Sequence, residues 1–151
     1  MGLAKAVGVS NFGRAQLEAL KETGVEMPEV NQVELHPWQP QNDLIAFHKA
    51  NKMVTMGYCP LARCKRFGET ALKAIADRLG KTEAQVCIRW SLQMGFVTIP
   101  KSVNAGRIKQ NGEAVDFVIS DEDMAEIAKV DENFKASGSV LNQDMPWAEV
   151  C

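Results

Sequence analysis

An α/β fold with a parallel sheet is predicted by three features of this 151-residue sequence. Short apolar runs alternate with segments of helical period, and glycine or proline punctuates many of the junctions. The runs begin at residues 6, 30, 54 and 96, so the steps are 24, 24 and 42 residues, and the longest step holds two helices. Repeated strand–helix units of this size return each strand in the same direction and build a parallel sheet. Two architectures fit: a piece of a (β/α)8 barrel, or a small doubly wound sheet. No glycine-rich phosphate fingerprint follows the first run, where a dinucleotide-binding doubly wound unit would carry one, and this favours the barrel. A full barrel takes roughly 250 residues, so four βα units correspond to its half.

Each element has its own warrant. Residues 6–9 form a short apolar run, followed by a helix from Arg14 to Thr23 with Leu17 and Leu20 on one face and Gly24 as its stop. Residues 30–35 read as the second strand. Asn42 and Asp43 are expected to cap a helix whose apolar positions are Leu44, Ile45 and Phe47. Residues 54–58 read as the third strand. From Thr70 to Leu79, Leu72, Ile75, Ala76 and Leu79 fall on one helical face. Thr82-Glu83-Ala84-Gln85 is a capping box that opens a helix to about Met94, ended by Gly95. Residues 96–99 read as the fourth strand, closed by Pro100. A polar helix spans Asn104 to Glu113, and Ser120 opens a last one with Met124, Ile127 and Ala128 inward. Residues 136–151 read as a tail of the single domain 1–151.

Composition narrows the function. The chain is 46% hydrophobic and 24% charged, with a net charge of −2, which gives no basic surplus for nucleic acid. No apolar run is long enough to span a bilayer. No apolar signal segment follows Met1, and Lys5-Ala6 breaks a myristoylation pattern. Cys59, Cys64, Cys87 and Cys151 match no zinc spacing, so they read as reduced thiols of a cytoplasmic protein, with no metal.

Chemistry-bearing residues collect where the strands end. The strings GVSNF (8–12), NQVELHP (31–37), GYCPLA (57–62) and IPKS (99–102) occur in that order. By residue type alone, Asn31 and Gln32 suit bonded polar groups of a core, Tyr58 an ordinary packed aromatic, and the later lysines and arginines a solvated surface. Together, however, the four strings closely resemble the second half of the aldo-keto reductases, over residues 1 to about 135.

That resemblance implies a set of roles. Ser10, Asn11 and Gln32 match residues that hydrogen-bond a nicotinamide carboxamide, which needs both donors and acceptors. Tyr58 matches the tyrosine that stacks under the nicotinamide ring, and Pro60 and Leu61 continue that cofactor segment. Lys101, Ser102, Asn104 and Arg107 match the segment that holds an adenosine 2′-phosphate. A dianion needs cations there, and a helix N-terminus adds to them. Asn111 matches a residue contacting adenine, and Gln110 stands where glutamate is common. Cys59 stands where serine is usual, near the pyrophosphate. The implied cofactor is NADP(H), and the implied activity is reduction of aldehydes or ketones to alcohols.

The resemblance also implies an absence. The family's catalytic Asp, Tyr, Lys and His belong to the first half of the barrel. The single tyrosine here, Tyr58, is assigned to stacking, so no catalytic residue is named. His36 reads as structural, and His48 as a surface or packing residue. Val140, Leu141, Met145, Pro146 and Trp147, with Trp38, are candidates to shape a carbonyl-substrate pocket. Met1 lies just before the first strand, which reads as a fragment of a longer chain. The alternatives are a non-catalytic half-barrel module that binds NADP(H) or a partner, and a phosphate-binding barrel half of another enzyme class. Four strands cut from a closed ring leave two open edges, so self-association is expected, with Val7, Val9, Val97 and Ile99 facing water.

Overall fold

A computed structural model describes residues 2–68 and 71–138 of the chain. Strands β1 (Gly8–Ser10), β2 (Val30–Glu34), β3 (Val54–Tyr58) and β4 (Val97–Thr98) form one sheet in the order β1-β2-β3-β4, and every pairing is parallel. The helices among the described residues are α1 (Arg14–Glu22), α2 (Asn42–Ala50), α3 (Ala71–Leu79), α4 (Glu83–Gln93), α5 (Ala105–Gly112) and α6 (Asp121–Ala128). Short 3-10 turns lie at Ala62–Cys64 and Glu113–Val115.

Period-2 alternation divides the sheet into two faces. In β2, Asn31 and Val33 are fully buried while Val30 and Gln32 are only partly so; in β3, Thr55 and Gly57 are buried while Val54, Met56 and Tyr58 are not. The buried side faces the helices: α2 packs on β3, α4 on β4, and α3 on α4 and α6. Leu17, Val33, Leu72, Val86, Trp90 and Ile127 belong to one continuous core there. Burying each such side chain stabilises by about 1.5–3 kcal/mol before entropy is counted. The register places Ser10, Gln32, Met56 and Val97 in one row on the other, more open face.

Local signals set most helix starts. The Thr82 hydroxyl accepts the Gln85 N–H at 3.2 Å, and Gln85 Oε1 accepts the Thr82 N–H at 3.0 Å. Ser120 caps α6 by accepting the Asp123 N–H at 3.1 Å. One start differs from expectation. Residue 41, not 42 or 43, is the cap of α2: Gln41 has a left-handed backbone (φ 50°), and its side-chain amide donates to the Glu34 carbonyl at 2.6 Å. At α1, the Gly13 N–H donates to Gln16 Oε1 at 2.8 Å.

The edge strands are shorter or shifted from the runs 6–9 and 96–99. β1 starts at Gly8 and runs through Ser10, with one bond from the Glu29 N–H to the Val7 carbonyl (2.9 Å) continuing the ladder backwards. β4 is confined to Val97–Thr98, because Phe96 turns into the core against Trp90; the Ile99 N–H adds one bond to the Gly57 carbonyl at 3.2 Å. Val7, Val97 and Ile99 are exposed, but Val9 is not free to face water. It shares a row with buried Asn31 and Thr55 and packs against the core. Trp38 is also corrected: it is fully buried and cannot line a pocket wall. Val140, Leu141, Met145, Pro146 and Trp147 lie outside the described residues.

Gly57 is required by proximity. A Cβ added there would stand 3.1 Å from the Leu35 Cβ, inside ordinary contact distance. Gly57→Ala is therefore expected to lower stability by about 1–3 kcal/mol through overpacking. A urea titration would show it as a lower midpoint with an unchanged slope; an unchanged midpoint would mean that Leu35 gives way without cost.

Candidate cofactor site

The first cluster of expected site residues is joined by hydrogen bonds at the C-terminal end of the sheet. Asn11 follows β1 with a left-handed backbone (φ 60°), uncommon for a residue other than glycine. Its N–H donates to the Gln32 carbonyl at 2.9 Å, and its Oδ1 accepts the Tyr58 hydroxyl at 2.9 Å. The Ser10 hydroxyl donates to the same Gln32 carbonyl at 2.9 Å, leaving its oxygen free to accept. The Gln32 amide donates to Met56 Sδ at 3.2 Å across the open face. Ser10, Asn11, Gln32 and Tyr58 are thus brought together, although 48 positions separate the first from the last in sequence.

The second cluster lines a cavity of about 740 Å³. Pro60 and Leu61 reach it from the turn after β3, Lys101 and Ser102 from the loop after β4, and Arg107, Gln110 and Asn111 from α5. Lys101 and Arg107 form no ion pair among the described residues. Arg107 lies in the first turn of α5, where the helix dipole favours an anion. Asn104 stands apart from this group. It is not among the cavity's lining residues, and its Oδ1 is committed to the Arg107 N–H at 3.0 Å as the helix cap. It acts on the site by fixing the helix that carries Arg107.

Several residues join the site that sequence reasoning did not place there. Arg63, Cys64, Phe67, Thr82 and Ala84 line the same cavity; Cys59, which the resemblance put near the pyrophosphate, lines it too. Ala62, Arg63 and Cys64 all have positive φ, which turns this segment sharply beside the cavity. Burial pushes the Cys59 thiol up, with Glu34 adding to the effect and Arg63 opposing it, so the sulfur stays protonated at neutral pH. Among the described residues, no group of three or more His, Cys, Asp or Glu could hold a metal ion, and no helix is long and apolar enough to cross a membrane.

Both histidines are fully buried. His36 Nε2 lies 3.1 Å from Glu34 Oε1. Glu34 also accepts the N–H groups of Ala136 and Ser137 and the Ser137 hydroxyl, so it fastens the segment after α6 to the end of β2. Burial alone would raise the Glu34 pKa, but these four donors outweigh it and hold the carboxyl at about 2. His48 is lowered to about 4 by burial.

The parallel βα architecture, with its polar residues gathered at strand C-termini, matches a known family. The Aldo/keto reductase family model covers residues 1–132. This chain belongs to the aldo-keto reductase family. It is 42% identical over 134 residues to the methylglyoxal reductase DkgA of Escherichia coli (strain K12), covering 87% of this chain and 48% of that protein. It is 40% identical over 134 residues to an uncharacterized oxidoreductase of Schizosaccharomyces pombe, covering 88% and 49%. The aldo-keto reductase AKR2E5 of the silkworm, Bombyx mori, in complex with NADPH, superimposes with a TM-score of 0.79 at 35% identity, over 89% of this chain and 45% of that one. The chain spans about half the length of the curated relatives it matches. Solved neighbours that are themselves aldo-keto reductases share the fold of this chain.

The two shifted groups make this aldo-keto reductase chain acid-sensitive. Between pH 6.5 and about 4, an unfolded chain protonates His48 while the folded one does not, so stability falls with pH across that window. Glu34 adds a second loss as pH drops from 4.5 towards about 2. The His48 contribution is roughly 2–3 kcal/mol. Urea midpoints measured from pH 7 to pH 4 should decline in the wild type and flatten in His48→Gln; parallel curves for the two proteins would show that His48 does not carry the loss.

Proposed function

We propose that this chain forms the C-terminal half of an aldo-keto reductase (β/α)8 barrel and carries its NADP(H) site. The observation that carries this reading is the cavity of about 740 Å³, into which Lys101 and Arg107 bring two cations with no acidic partner among the described residues. Relatives solved with NADPH support the choice of cofactor. Bound NADPH supplies a hydride for reduction of a small aldehyde or ketone to an alcohol in the complete protein. Lys101 and Arg107 bind the 2′-phosphate, Ser102 adds a hydroxyl donor, and Gln110 and Asn111 face the adenine. Pro60 and Leu61 form the apolar wall between the two clusters. Ser10, Asn11 and Gln32 orient the carboxamide, and the Tyr58 ring supports the nicotinamide.

Proton transfer falls outside this chain. Its single tyrosine donates its hydroxyl hydrogen to Asn11 Oδ1, which ties the ring in place and occupies its proton. A general acid has to reach the carbonyl oxygen of the substrate, and the family resemblance places the Asp, Tyr, Lys and His that do so in the other half of the barrel. The chain alone is therefore a cofactor-binding unit without turnover. Its thiols suit a reducing cytoplasm.

Fluorescence titration with NADPH and NADH tests the reading. NADPH should bind more tightly, and Arg107→Ala should weaken NADPH by roughly tenfold or more, the worth of a charge-assisted hydrogen bond, while changing NADH little. Equal weakening of both would remove Arg107 from the phosphate site. NADPH-dependent aldehyde reduction by the purified chain that disappears in Tyr58→Phe would overturn the assignment of Tyr58.

The outer edges of β1 and β4 are unpaired among the described residues, and Val7, Val97 and Ile99 are exposed beside them. Unpaired edges with apolar neighbours seek further strands. The isolated chain is therefore expected to self-associate. Sedimentation over a range of concentrations should show mass rising with concentration, and a compact monomer throughout would contradict this.

A further inference from the structure

We propose that His48 is a positioning residue for the nicotinamide end of the site, acting through Asn31 to hold the Ser10–Asn11 turn in its left-handed geometry. This builds on the cofactor reading above, but its first test does not depend on it. The Asn31 side-chain amide has two hydrogens and two acceptors in reach: the Phe12 carbonyl at 2.7 Å and His48 Nε2 at 3.0 Å. A carbonyl oxygen can only accept, so the amide nitrogen must face it, and the flipped orientation would set two oxygens against each other. The amide therefore donates to His48, and Nε2 must be bare. His48 Nδ1 then carries the hydrogen and donates to the Thr55 hydroxyl at 2.8 Å. Asn31 and His48 are fully buried and Thr55 nearly so, so no water competes for these bonds.

The circuit ends where it begins, on β3. From Thr55 it runs through His48 of α2 and Asn31 of β2 to the Phe12 carbonyl, in the peptide one residue beyond Asn11, and Asn11 Oδ1 receives the hydroxyl of Tyr58. A left-handed asparagine is held only if the chain on both sides of it is pinned. The Asn11 N–H is pinned by the Gln32 carbonyl, and the Phe12 carbonyl by Asn31. His48 fixes the orientation of Asn31, and burial keeps the imidazole neutral above pH about 4. Sequence reading treated this histidine as surface or packing; the structure gives it a specific tautomer and a specific partner.

Three measurements test this. The first is the imidazole nitrogen shifts of the wild-type chain, with its two histidines separated by the spectrum of His48→Gln. The Nδ1–H tautomer of His48 is expected, and an Nε2–H tautomer would overturn the proposal. The second compares NADPH with adenosine 2′,5′-bisphosphate, which lacks the nicotinamide. His48→Leu should weaken NADPH by about tenfold, the worth of one neutral hydrogen bond, and leave the bisphosphate within about twofold. His48→Gln, whose amide can accept from Asn31, should restore the difference; equal loss of both ligands, or no rescue, would overturn it. If the wild type binds neither ligand, the cofactor reading fails, and amide exchange decides the positioning role. In His48→Leu, the Asn11 N–H should then exchange about tenfold faster, by the same hydrogen-bond reckoning, with the Val86 N–H of α4 unchanged. An unchanged Asn11, or equal acceleration of both amides, would refute it.

Discussion

Asn31 cannot leave the helix-facing side of the sheet without stranding buried hydrogen-bonding groups. Its amide joins the Phe12 carbonyl to His48, and both it and His48 are sealed from solvent. A one-residue slip of β2 would move Asn31 to the open face, bring Gln32 inward, and take the Asn31 amide away from His48 Nε2 and the Phe12 carbonyl. Each buried group left unsatisfied costs about 1–3 kcal/mol. The buried polar circuit therefore sets the register of β2 against β1 and β3. The row Ser10, Gln32, Met56 and Val97 follows from that register. Since every strand runs the same way, one register decision delivers Ser10, Asn11 and Tyr58 to the same end of the sheet.

The two halves of the candidate site are built from different physics. The first is made of residues on or directly after strands, interlocked by neutral hydrogen bonds near 2.9 Å. Such groups are well placed to orient a planar amide, because their own orientations are already fixed. The second is made of longer side chains on a loop and on α5, where Lys101 and Arg107 have no ion pair among the described residues. A multiply charged phosphate gains more from net charge than from exact angle, and in the proposed site Lys101 and Arg107 would supply it. The 59–64 turn connects the two regions, since it follows Tyr58 directly and lines the cavity.

How much of this was legible in the sequence varies with how local the cause is. The helices α3 and α4 were readable because the Leu72, Ile75 and Ala76 stripe and the Thr82–Gln85 box are local signals that the structure uses as they stand. Strand limits were less so: Phe96 looks like strand, but its burial against Trp90 is a tertiary fact. The cap of α2 was hidden because Gln41 carries no capping side-chain bond and is held instead by the Glu34 carbonyl. Val9 was assigned to the wrong face because its side depends on the row it shares with Asn31 and Thr55. The candidate site residues are named from motif strings alone. Arg63 and Thr82 were missed because a turn and a helix cap give no hint of a shared cavity. His48 had no sequence signal at all: its partners lie 17 residues upstream and 7 downstream and meet it only after the sheet forms.

Cys59 stands where the family resemblance implies a serine. Serine in that place would offer a good hydroxyl donor near the phosphates of the proposed cofactor, and a thiol is a weaker one. An ionised thiolate would be worse still, since it would repel a phosphate. Burial removes that hazard by pushing the thiol up, so the sulfur remains neutral. Arg63, four residues on, carries a positive charge into the same cavity while its guanidinium donates to the Ser137 carbonyl at 3.2 Å. That bond ties the cation to the segment fastened by Glu34. The positive φ of Arg63 therefore has a use: it turns the chain so that a cation joins the wall from which the hydroxyl is missing. The cavity wall thus pairs a weak short-range donor with a cation, a combination that suits a polyanionic ligand better than a neutral one.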